Sequence, residues 1–153
     1  MPDSTADTTK HQERVQALMT QAIMVLSTAA MAHDQSKLEE PEKSTFDWAG
    51  PRLKHLPFGT PQYAKAKEDM GSALTHHYAV NRHHPEHHPN GIHDMDLLDL
   101  IEMLSDWKAA GERHKDSKGL AYSIAVGAEN YGYGELMTTL LTNTAKRLGW
   151  IEA

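Results

Sequence analysis

Residues 76–106 hold most of the histidines of this chain, and a run of carboxylates follows the histidines within the same stretch. Seven of the 11 histidines lie here, at positions 76, 77, 83, 84, 87, 88 and 93. The acidic side chains that follow are Asp94, Asp96, Asp99, Glu102 and Asp106. Imidazole nitrogens and carboxylate oxygens together form the ligand set of Zn, Mn, Fe, Co and Ni. The fold must therefore either gather these groups around a metal or keep them in water.

Size and composition limit the classes of function. With 153 residues, the chain is long enough for one domain with a single hydrophobic core. Its net charge of −6 and its lack of a basic run argue against a surface for nucleic-acid polymers. A nucleotide substrate is still allowed, because a metal can carry the phosphate charge. The chain has no cysteine, so disulfides and thiolate nucleophiles are excluded, and any zinc-like site must use His, Asp or Glu.

The sequence predicts neither a membrane span nor a secretion signal. No apolar run approaches the roughly 20 residues of a transmembrane helix. The N-terminus is polar and lacks the apolar core of a signal peptide. We expect residues 1–9 to form a flexible tail and residues 10–153 to form a single helical domain. Together with the lack of cysteine, these features predict a cytoplasmic protein.

Hydrophobic spacing predicts an all-α fold, a compact helical bundle. From Thr8 to about Ala32, apolar residues recur at helical spacing and neither Gly nor Pro interrupts them, which predicts one long helix. The segment Glu40–Glu42, with Pro41 at its centre, predicts a second helix start. Gly50-Pro51 and residues 56–60 are breakers that together predict a flap between elements. Thr60 and the proline after it open another helix, whose apolar face reaches His77.

The second half of the chain is predicted to form a loop and three more helices. Residues 81–91 form the loop, and Asp94 or Asp96 caps a helix that runs to about His114. The expected apolar stripe of this helix is Leu97, Leu98, Ile101, Leu104 and Trp107. The remaining predicted elements are a loop at residues 115–119 and helices at residues 120–131 and 134–148.

His33 and Asp34 are the first candidate ligands outside the histidine-rich stretch. An apolar helix delivers this dipeptide at its end, where adjacent side chains can reach one ion as the helix loosens. Lys37 follows Asp34 by three residues and is placed to meet a phosphate oxygen. The alternative interpretation is an ordinary polar pair at a helix end.

Asp106 is the second candidate. It lies among apolar and small residues of a predicted helix, where a buried carboxylate costs free energy unless a counter-charge is present. A metal would supply that charge. The alternative is a solvated helix face that Asp106 shares with Asp99 and Glu102.

His11 joins these ligands only if the first predicted helix folds back. In a straight helix, His11 and His33 lie about 33 Å apart at ~1.5 Å per residue, too far to share an ion. A bend between Thr20 and Thr28 would bring the two ends together. Otherwise His11 is an exposed side chain in a first turn.

The paired histidines cannot all bind one ion. His77 is favoured by its apolar helix face, and His83 or His84 is favoured by the loop that returns them. His76, with whichever of the loop pair is not a ligand, is an additional candidate for metal or substrate binding. For the site we take His84 as the ligand and His83 as the additional candidate.

The other polar residues of the loop have simpler interpretations. His87, His88 and His93 fit a solvated loop better than they fit a metal site. Arg82 either clamps a phosphate through two hydrogen bonds or pairs with Glu86.

The order His11, His33-Asp34, Asp106 resembles the H…HD…D signature of the HD-domain metal-dependent phosphohydrolase superfamily. HDQSK at residues 33–37 is similar to the HD-x-x-K motif of that superfamily, and SDWKAA at residues 105–110 is similar to its last-aspartate helix. A closer likeness is to an uncharacterised phage and bacterial branch. That branch shares HD-x-S-K, the N-R-H-H-P-E-H loop and G-I-x-D-M-x-L-x-D-L-I-E-M, and the likeness extends from His11 to about Asn143.

The resemblance implies an all-α bundle of the HD type with metal at its centre. It implies that His11, His33, Asp34 and Asp106 bind the metal. The additional histidines of the chain resemble those of HD relatives that hold two ions. With the two favoured histidines added, the complete predicted set is His11, His33, Asp34, His77, His84 and Asp106. The expected cofactor is one or two divalent transition metals (Mn, Fe, Co, Ni or Zn), with Mg also allowed.

The leading hypothesis is hydrolysis of a small phosphorylated substrate, a nucleotide or another phosphomonoester, by a metal-activated water. Lys37, Arg82 and one loop histidine would neutralise transition-state charge, and a non-ligating histidine or Glu102 would relay a proton. A di-iron oxygenase of the HD fold and a non-catalytic nucleotide- or metal-binding protein are the alternatives. Neither a membrane nor a nucleic-acid polymer is an expected partner, and a homo-oligomer stays open. A phage-encoded protein of this kind would work in the host cytoplasm.

Overall fold

The computed structural model describes residues 3–56, 59–113 and 117–152. Within these ranges the chain is all-α, as predicted, with seven α-helices, three short 3-10 helices and no β-strand. The α-helices are α1 (Thr5–Ala32), α2 (Lys43–Leu53), α3 (Pro61–Glu68), α4 (Gly71–Val80), α5 (Leu97–Glu112), α6 (Gly119–Tyr131) and α7 (Glu135–Arg147). Backbone contacts divide the chain into two units, residues 1–33 and residues 34–153. A single domain from residue 10 onward stays a prediction.

The first unit is the single helix α1. This helix begins at Thr5, inside the segment predicted to be a tail, and ends at Ala32, where the sequence predicted its end. None of its residues is buried. The segment Thr5–Leu38 is long and apolar enough to cross a membrane by length and composition, contrary to the expectation from the sequence. Core helices of soluble proteins and signal sequences meet the same criteria, so this property does not assign the protein to a membrane.

The continuity of α1 corrects the prediction for His11. Both His11 and the proposed bend between Thr20 and Thr28 lie within one uninterrupted helix. His33, the C-cap of this helix, follows His11 by 22 residues, which corresponds to about 33 Å at ~1.5 Å per residue. His11 and His33 of one chain are therefore too far apart to share an ion.

The second unit begins with Asp34 and a 3-10 turn at Gln35–Leu38. Glu42 then forms the N-cap of α2, which confirms a helix start at the segment Glu40–Glu42. The 3-10 turn and the N-cap Glu42 belong to the short segment that connects Asp34 to α2. Asp34 and Glu42 lie on either side of this turn, and both side chains contact His77.

Two helices replace the single helix predicted from Thr60. Thr60 caps α3 as expected, and its hydroxyl accepts a hydrogen bond from the amide of Tyr63 at 3.2 Å. However, α3 ends at Glu68, and α4 begins at Gly71 with a φ of +54°. A residue with a side chain rarely adopts this value, so Gly71 marks a real interruption. His77 lies in α4 and is buried, as its spacing predicted.

The main hydrophobic core lies among α5, α6 and α7. Its buried members from these helices are Leu100, Met103, Leu104, Leu120, Ile124, Leu141 and Ala145. Asp96 caps α5, as predicted, because its side chain accepts hydrogen bonds from the amides of Leu98 and Asp99. The side chain of Asp99 accepts one in return from the amide of Asp96, which completes a capping box. The last two helices confirm the elements predicted at residues 120–131 and 134–148.

The buried face of α5 differs from the predicted stripe. Leu97, the first member of that stripe, is 65 % exposed, whereas Asp99 and Leu100 are buried. A solvated face that includes Asp99 was the alternative interpretation; Arg82 pairs with Asp99 instead, which explains why this face can turn inward. The helix ends at Glu112.

Gly50 and Pro51, predicted to break the chain as part of the flap, lie inside α2 instead. Three predicted features lie outside the described residues: residues 57–58 of the flap, the helix end at His114 and residues 115–116 of the loop.

Candidate metal centre

One aspartate and three histidines of the second unit converge on a small volume. Asp34, His77, His83 and His84 each offer one ligand atom, and these atoms all lie within 4.8 Å of one another. Asp34 precedes the 3-10 turn, His77 lies in α4, and His83 and His84 lie in the loop that follows α4. Both members of the loop pair lie in the group, although one of them was expected to be the ligand.

The Nε2 nitrogens of His77 and His83 face a single carboxylate oxygen. Asp34 Oδ1 lies 3.4 Å from Nε2 of His77 and 3.7 Å from Nε2 of His83. Nε2 of His77 lies 2.8 Å from Nε2 of His84. The side chains of His77 and His83 are each 2 % exposed. The protein therefore shields much of this group from bulk water.

Asp34 reaches its position through a left-handed backbone conformation. Its φ is +56° and its ψ is +16°, and among the described residues no other non-glycine residue has a positive φ. Asp adopts this conformation more readily than most residues with side chains. Nζ of Lys37 donates a hydrogen bond to Oδ2 at 2.6 Å. Oδ1, the other oxygen of the same carboxylate, is the one that lies near the histidines.

Burial favours the neutral form of two of the three imidazoles. Burial lowers the pKa of His77, and the charge of Lys37 lowers it further. Burial, followed by the neighbouring His83 and His77, lowers the pKa of His84 to about 2. A neutral imidazole keeps a lone pair on one ring nitrogen, which is the form that binds metals.

Glu42, which the sequence placed only at a helix start, lies behind His76 and His77. It is 0 % exposed. Its Oε1 lies 2.7 Å from Nδ1 of His76, and its Oε2 lies 2.9 Å from Nδ1 of His77. The hydroxyl of Ser36 donates a hydrogen bond to Oε2 at 2.9 Å. Burial alone would raise the pKa of Glu42, but the hydrogen bonds from His76, Ser36 and His77 hold the pKa below its ordinary value, which favours the ionised carboxylate.

Glu102 contacts His83 in a similar way. Its Oε1 lies 3.1 Å from Nδ1 of His83, while Nε2 of the same ring faces Asp34. The sequence predicted that Glu102 relays a proton, whereas its contact in the structure is with the rear nitrogen of a candidate ligand. The relay role stays a prediction.

Asp106, a predicted ligand, lies beside this group. One of its carboxylate oxygens lies within 4.8 Å of a carboxylate oxygen of Asp34. Its charge raises the pKa of Tyr63, after the larger effect of burial, and opposes the lowering of the His84 pKa. Asp106 is therefore close to Asp34 and near enough to His84 to affect its pKa.

Arg82 is bound to the start of α5. Its Nε and Nη2 donate hydrogen bonds to Oδ1 and Oδ2 of Asp99 at 3.0 and 2.8 Å. Nη2 also lies 3.7 Å from a carboxylate oxygen of Asp96. The sequence proposed Glu86 as the alternative partner, but the observed partner is Asp99. Arg82 would have to exchange these hydrogen bonds to clamp a phosphate.

The outer histidines donate hydrogen bonds to the backbone. Nδ1 of His87 lies 3.2 Å from the carbonyl oxygen of Tyr78, and Nε2 of His88 lies 2.9 Å from that of Arg82. Nε2 of His88 also lies 3.7 Å from Oδ2 of Asp99, and the side chain of His88 is 6 % exposed, contrary to the prediction of a solvated loop. His93 is exposed. Within the described part of the chain, these histidines and His76 belong to no group of three or more potential ligands.

His33 is the last residue of the first unit and directly precedes Asp34. Its role as a ligand stays a prediction. Residues 2–148 match the model of a family described as "Family of unknown function (DUF5662)", and the chain therefore belongs to this family. Neither a curated protein nor a solved structure matches the chain.

Proposed function

We propose that this member of the DUF5662 family is a metal-dependent hydrolase of small phosphomonoesters. Asp34, His77, His83 and His84 would hold a divalent transition metal. The observation that carries the proposal is the approach of three imidazoles and one carboxylate to within 4.8 Å of one another. Polar groups gathered in a buried place are costly unless a shared proton or cation compensates them.

The donor set fits a transition metal better than magnesium. Mg²⁺ prefers oxygen ligands and keeps several waters, whereas imidazole suits Zn, Fe, Ni and Cu. Zinc accepts nitrogen and oxygen ligands of this type and can expand to five-coordinate, which would leave a position for a water beside the protein ligands. Charge supports a cation as well, because four carboxylates lie in or next to the group of rings. They are Asp34, Glu42, Glu102 and Asp106.

A bound divalent metal would supply Lewis acidity and an activated water, which is the chemistry that phosphoester hydrolysis requires. Lys37 uses one donor on Asp34 and has two further donors for a phosphate oxygen. Asp106 lies close to Asp34 and can accept a proton as the water attacks. Glu102 holds the rear of a ligand ring, so we assign it an orienting role in place of the relay.

The substrate class follows from charge. With a net charge of −6, the chain has little attraction for a nucleic-acid polymer. A small nucleotide presents only one phosphate group to the metal and to Lys37. We therefore propose a nucleotide or another small phosphomonoester as the substrate, and a cytoplasmic location where such compounds are abundant.

The proposal combines residues from two sources. Asp34 and Asp106 belong to the motif that resembles the HD-domain superfamily. His77, His83 and His84 lie outside that motif. Since His11 is about 33 Å from His33 along α1, the hydrolase proposal does not use His11 as a ligand.

The test uses the full chain without a histidine tag, because such a tag binds metal itself. The metal content is measured first, and phosphate release from nucleotides and p-nitrophenyl phosphate is then followed with Zn, Mn, Fe, Co or Ni. Asp34→Asn is the decisive variant, because Asn tolerates the left-handed conformation and the exchange removes only the charge. Asp47→Asn is the matched control, since Asp47 pairs with Lys43 on the exposed surface.

We expect hydrolysis by the wild type and by Asp47→Asn, and its loss in Asp34→Asn. Full activity in Asp34→Asn overturns the proposal. A product that requires iron and O₂ selects the oxygenase instead. Tight metal binding without turnover of any substrate selects a non-catalytic binding protein.

A further inference from the structure

We propose that Glu42 is a positioning residue, which holds the Nδ1–H groups of His76 and His77 and thereby directs Nε2 of His77 toward Asp34. The inference rests on the proposed metal site, although its first step concerns only protons and can be tested without metal. Glu42 has no place among the potential ligands of the described residues. Glu42 therefore acts on the metal site through the ring of His77, which it holds in place.

The hydrogen-bond network assigns the protons. An ionised carboxylate only accepts hydrogen bonds, so each nitrogen that contacts it must carry a proton. Nδ1 of His76 lies 2.7 Å from Oε1 of Glu42, and Nδ1 of His77 lies 2.9 Å from Oε2. Both rings are therefore Nδ1–H tautomers when they are neutral. Nε2 of His77 is left with a lone pair.

Asn81 offers a second contact to the same nitrogen, and the network resolves it. Nδ2 of Asn81 lies 3.0 Å from Nδ1 of His77, but two donors cannot share one hydrogen bond. The same Nδ2 lies 2.9 Å from the hydroxyl of Ser36 and 2.8 Å from the carbonyl oxygen of His77. These two acceptors use both amide protons. The protons thus run from Asn81 to Ser36 to Glu42, and Nδ1 of His77 also points its proton at Glu42.

This arrangement determines what faces the metal ligands. Nε2 of His77, which carries the lone pair, lies 2.8 Å from Nε2 of His84 and 3.4 Å from Oδ1 of Asp34. Either His84 donates a proton to His77, or both lone pairs face a cation. Hydrogen bonds from the far nitrogen of a ligand histidine to a carboxylate are a general device that fixes the tautomer and the ring orientation.

Burial makes Glu42 specific for this role. It is fully buried, and its side chain contacts His76, His77 and the hydroxyl of Ser36. A carboxylate needed only to cap α2 would be satisfied in water, because N-caps are commonly exposed, and its side chain does not bond the helix amides. The structure thus places a buried anion where its contacts serve the two histidines.

The experiment combines two readouts on the full, untagged chain. The first is the histidine ¹⁵N spectrum of the metal-free wild type, which distinguishes Nδ1–H from Nε2–H tautomers. We expect Nδ1–H for His77. An Nε2–H tautomer overturns the proposal, and this readout needs no variant that must fold.

The second readout is the affinity for Zn²⁺, measured by competition with a chelating dye, together with the absorption spectrum of the Co²⁺-loaded protein. We expect Glu42→Gln to weaken Zn²⁺ binding about 10- to 100-fold and to change the Co²⁺ spectrum, because one amide cannot accept from both rings. Glu42→Asp should restore part of the affinity. Glu40→Gln is the matched control, since Glu40 is exposed and accepts a hydrogen bond from Ser44, and it should bind Zn²⁺ as tightly as the wild type.

Wild-type affinity in a folded Glu42→Gln variant overturns the positioning role. A wild type that binds no Zn²⁺ or Co²⁺ overturns the metal site on which the role rests. The hydrolase can fail separately, because both metals can bind with the expected tautomer in a protein that releases no phosphate.

Discussion

The histidine-rich stretch contains two groups of the same side chain in opposite situations. In the inner group, formed by His77, His83 and His84, the rings approach a common carboxylate, Asp34. In the outer group, formed by His87, His88 and His93, two rings donate protons to backbone carbonyls and the third is exposed. Only the inner group offers several nitrogens to one point.

The difference lies in what stands behind each ring. Carboxylates lie behind two inner rings, with Glu42 at His77 and Glu102 at His83. An anion behind one nitrogen keeps a proton there and leaves a lone pair on the other nitrogen. A backbone carbonyl also holds a proton on the nitrogen it contacts. However, the outer rings belong to no group of three or more potential ligands among the described residues, although Oδ2 of Asp99 lies 3.7 Å from Nε2 of His88. Histidine content alone is therefore a poor guide to a metal site, and the acids behind the rings are a better one.

The largest expected effect separates the two groups directly. His84→Ala should weaken Zn²⁺ binding on the order of 10²- to 10³-fold, because about a quarter of the ~10–16 kcal/mol that four ligands supply together is lost. His88→Ala, four residues along the same loop, is the matched control and should change the affinity by less than about threefold. Titration with a competing chelator measures both. Equal losses in the two variants would remove the distinction between the groups.

A smaller effect is expected for the carboxylates behind the inner rings, Glu102 and Glu42. Glu102→Gln should weaken Zn²⁺ binding about tenfold, at the lower end of the range for such groups. Glu102 contacts one ring and its side chain is 16 % exposed, so water can replace part of its contact. Glu42 is fully buried and contacts two rings. The comparison is wrong if the loss in Glu102→Gln exceeds that in Glu42→Gln under the same conditions.

A substitution in the pair of Arg82 and Asp99, outside the inner group, should affect stability instead of metal binding. Asp99→Asn removes the charge that holds Arg82 in two hydrogen bonds and retains an oxygen for the capping box. We expect the free energy of unfolding to fall by about 1–2 kcal/mol, since charge-assisted bonds to a buried acceptor are lost. Urea denaturation measures the loss, and Zn²⁺ titration should show less than about a threefold change. A tenfold loss of affinity at unchanged stability would contradict this separation.

The smallest effect is expected at His93. Its side chain is exposed, so His93→Ala should change the free energy of unfolding by no more than about 0.5 kcal/mol. Zn²⁺ affinity should equal that of the wild type. Measurable loss of either quantity would show that the outer group does more than the structure indicates.

Local patterns predicted much of the fold because their causes are local. The uninterrupted spacing of α1, the Thr60 cap and the Asp96 cap depend on residues within one or two turns. The break between α3 and α4 was missed, because a single glycine at residue 71 is compatible with a helix until its φ is known. The buried face of α5 was misjudged at Asp99, whose partner Arg82 lies 17 residues away in the sequence.

The candidate site was predictable only in part, for a related reason. Asp34 and His77 were found from the helix end and the apolar face that carry them. Glu42 lies 35 residues from His77, and no periodic pattern joins them. A carboxylate after a proline is an ordinary helix start, so its burial had no signal in the sequence. His11 failed as a partner of His33 because α1 continues through the residues that would have had to bend.

The left-handed backbone of Asp34 limits which residues this position can accept during evolution. Gly, Asn and Asp adopt a φ of +56° readily, whereas other side chains are disfavoured there. Of these three, only Asp carries an anionic oxygen. Glu, its usual acidic replacement, would both strain the backbone and move the carboxylate away from the rings. Drift at position 34 is thus restricted by conformation and chemistry at once, and a saturation library should retain Asp alone when selected for metal binding.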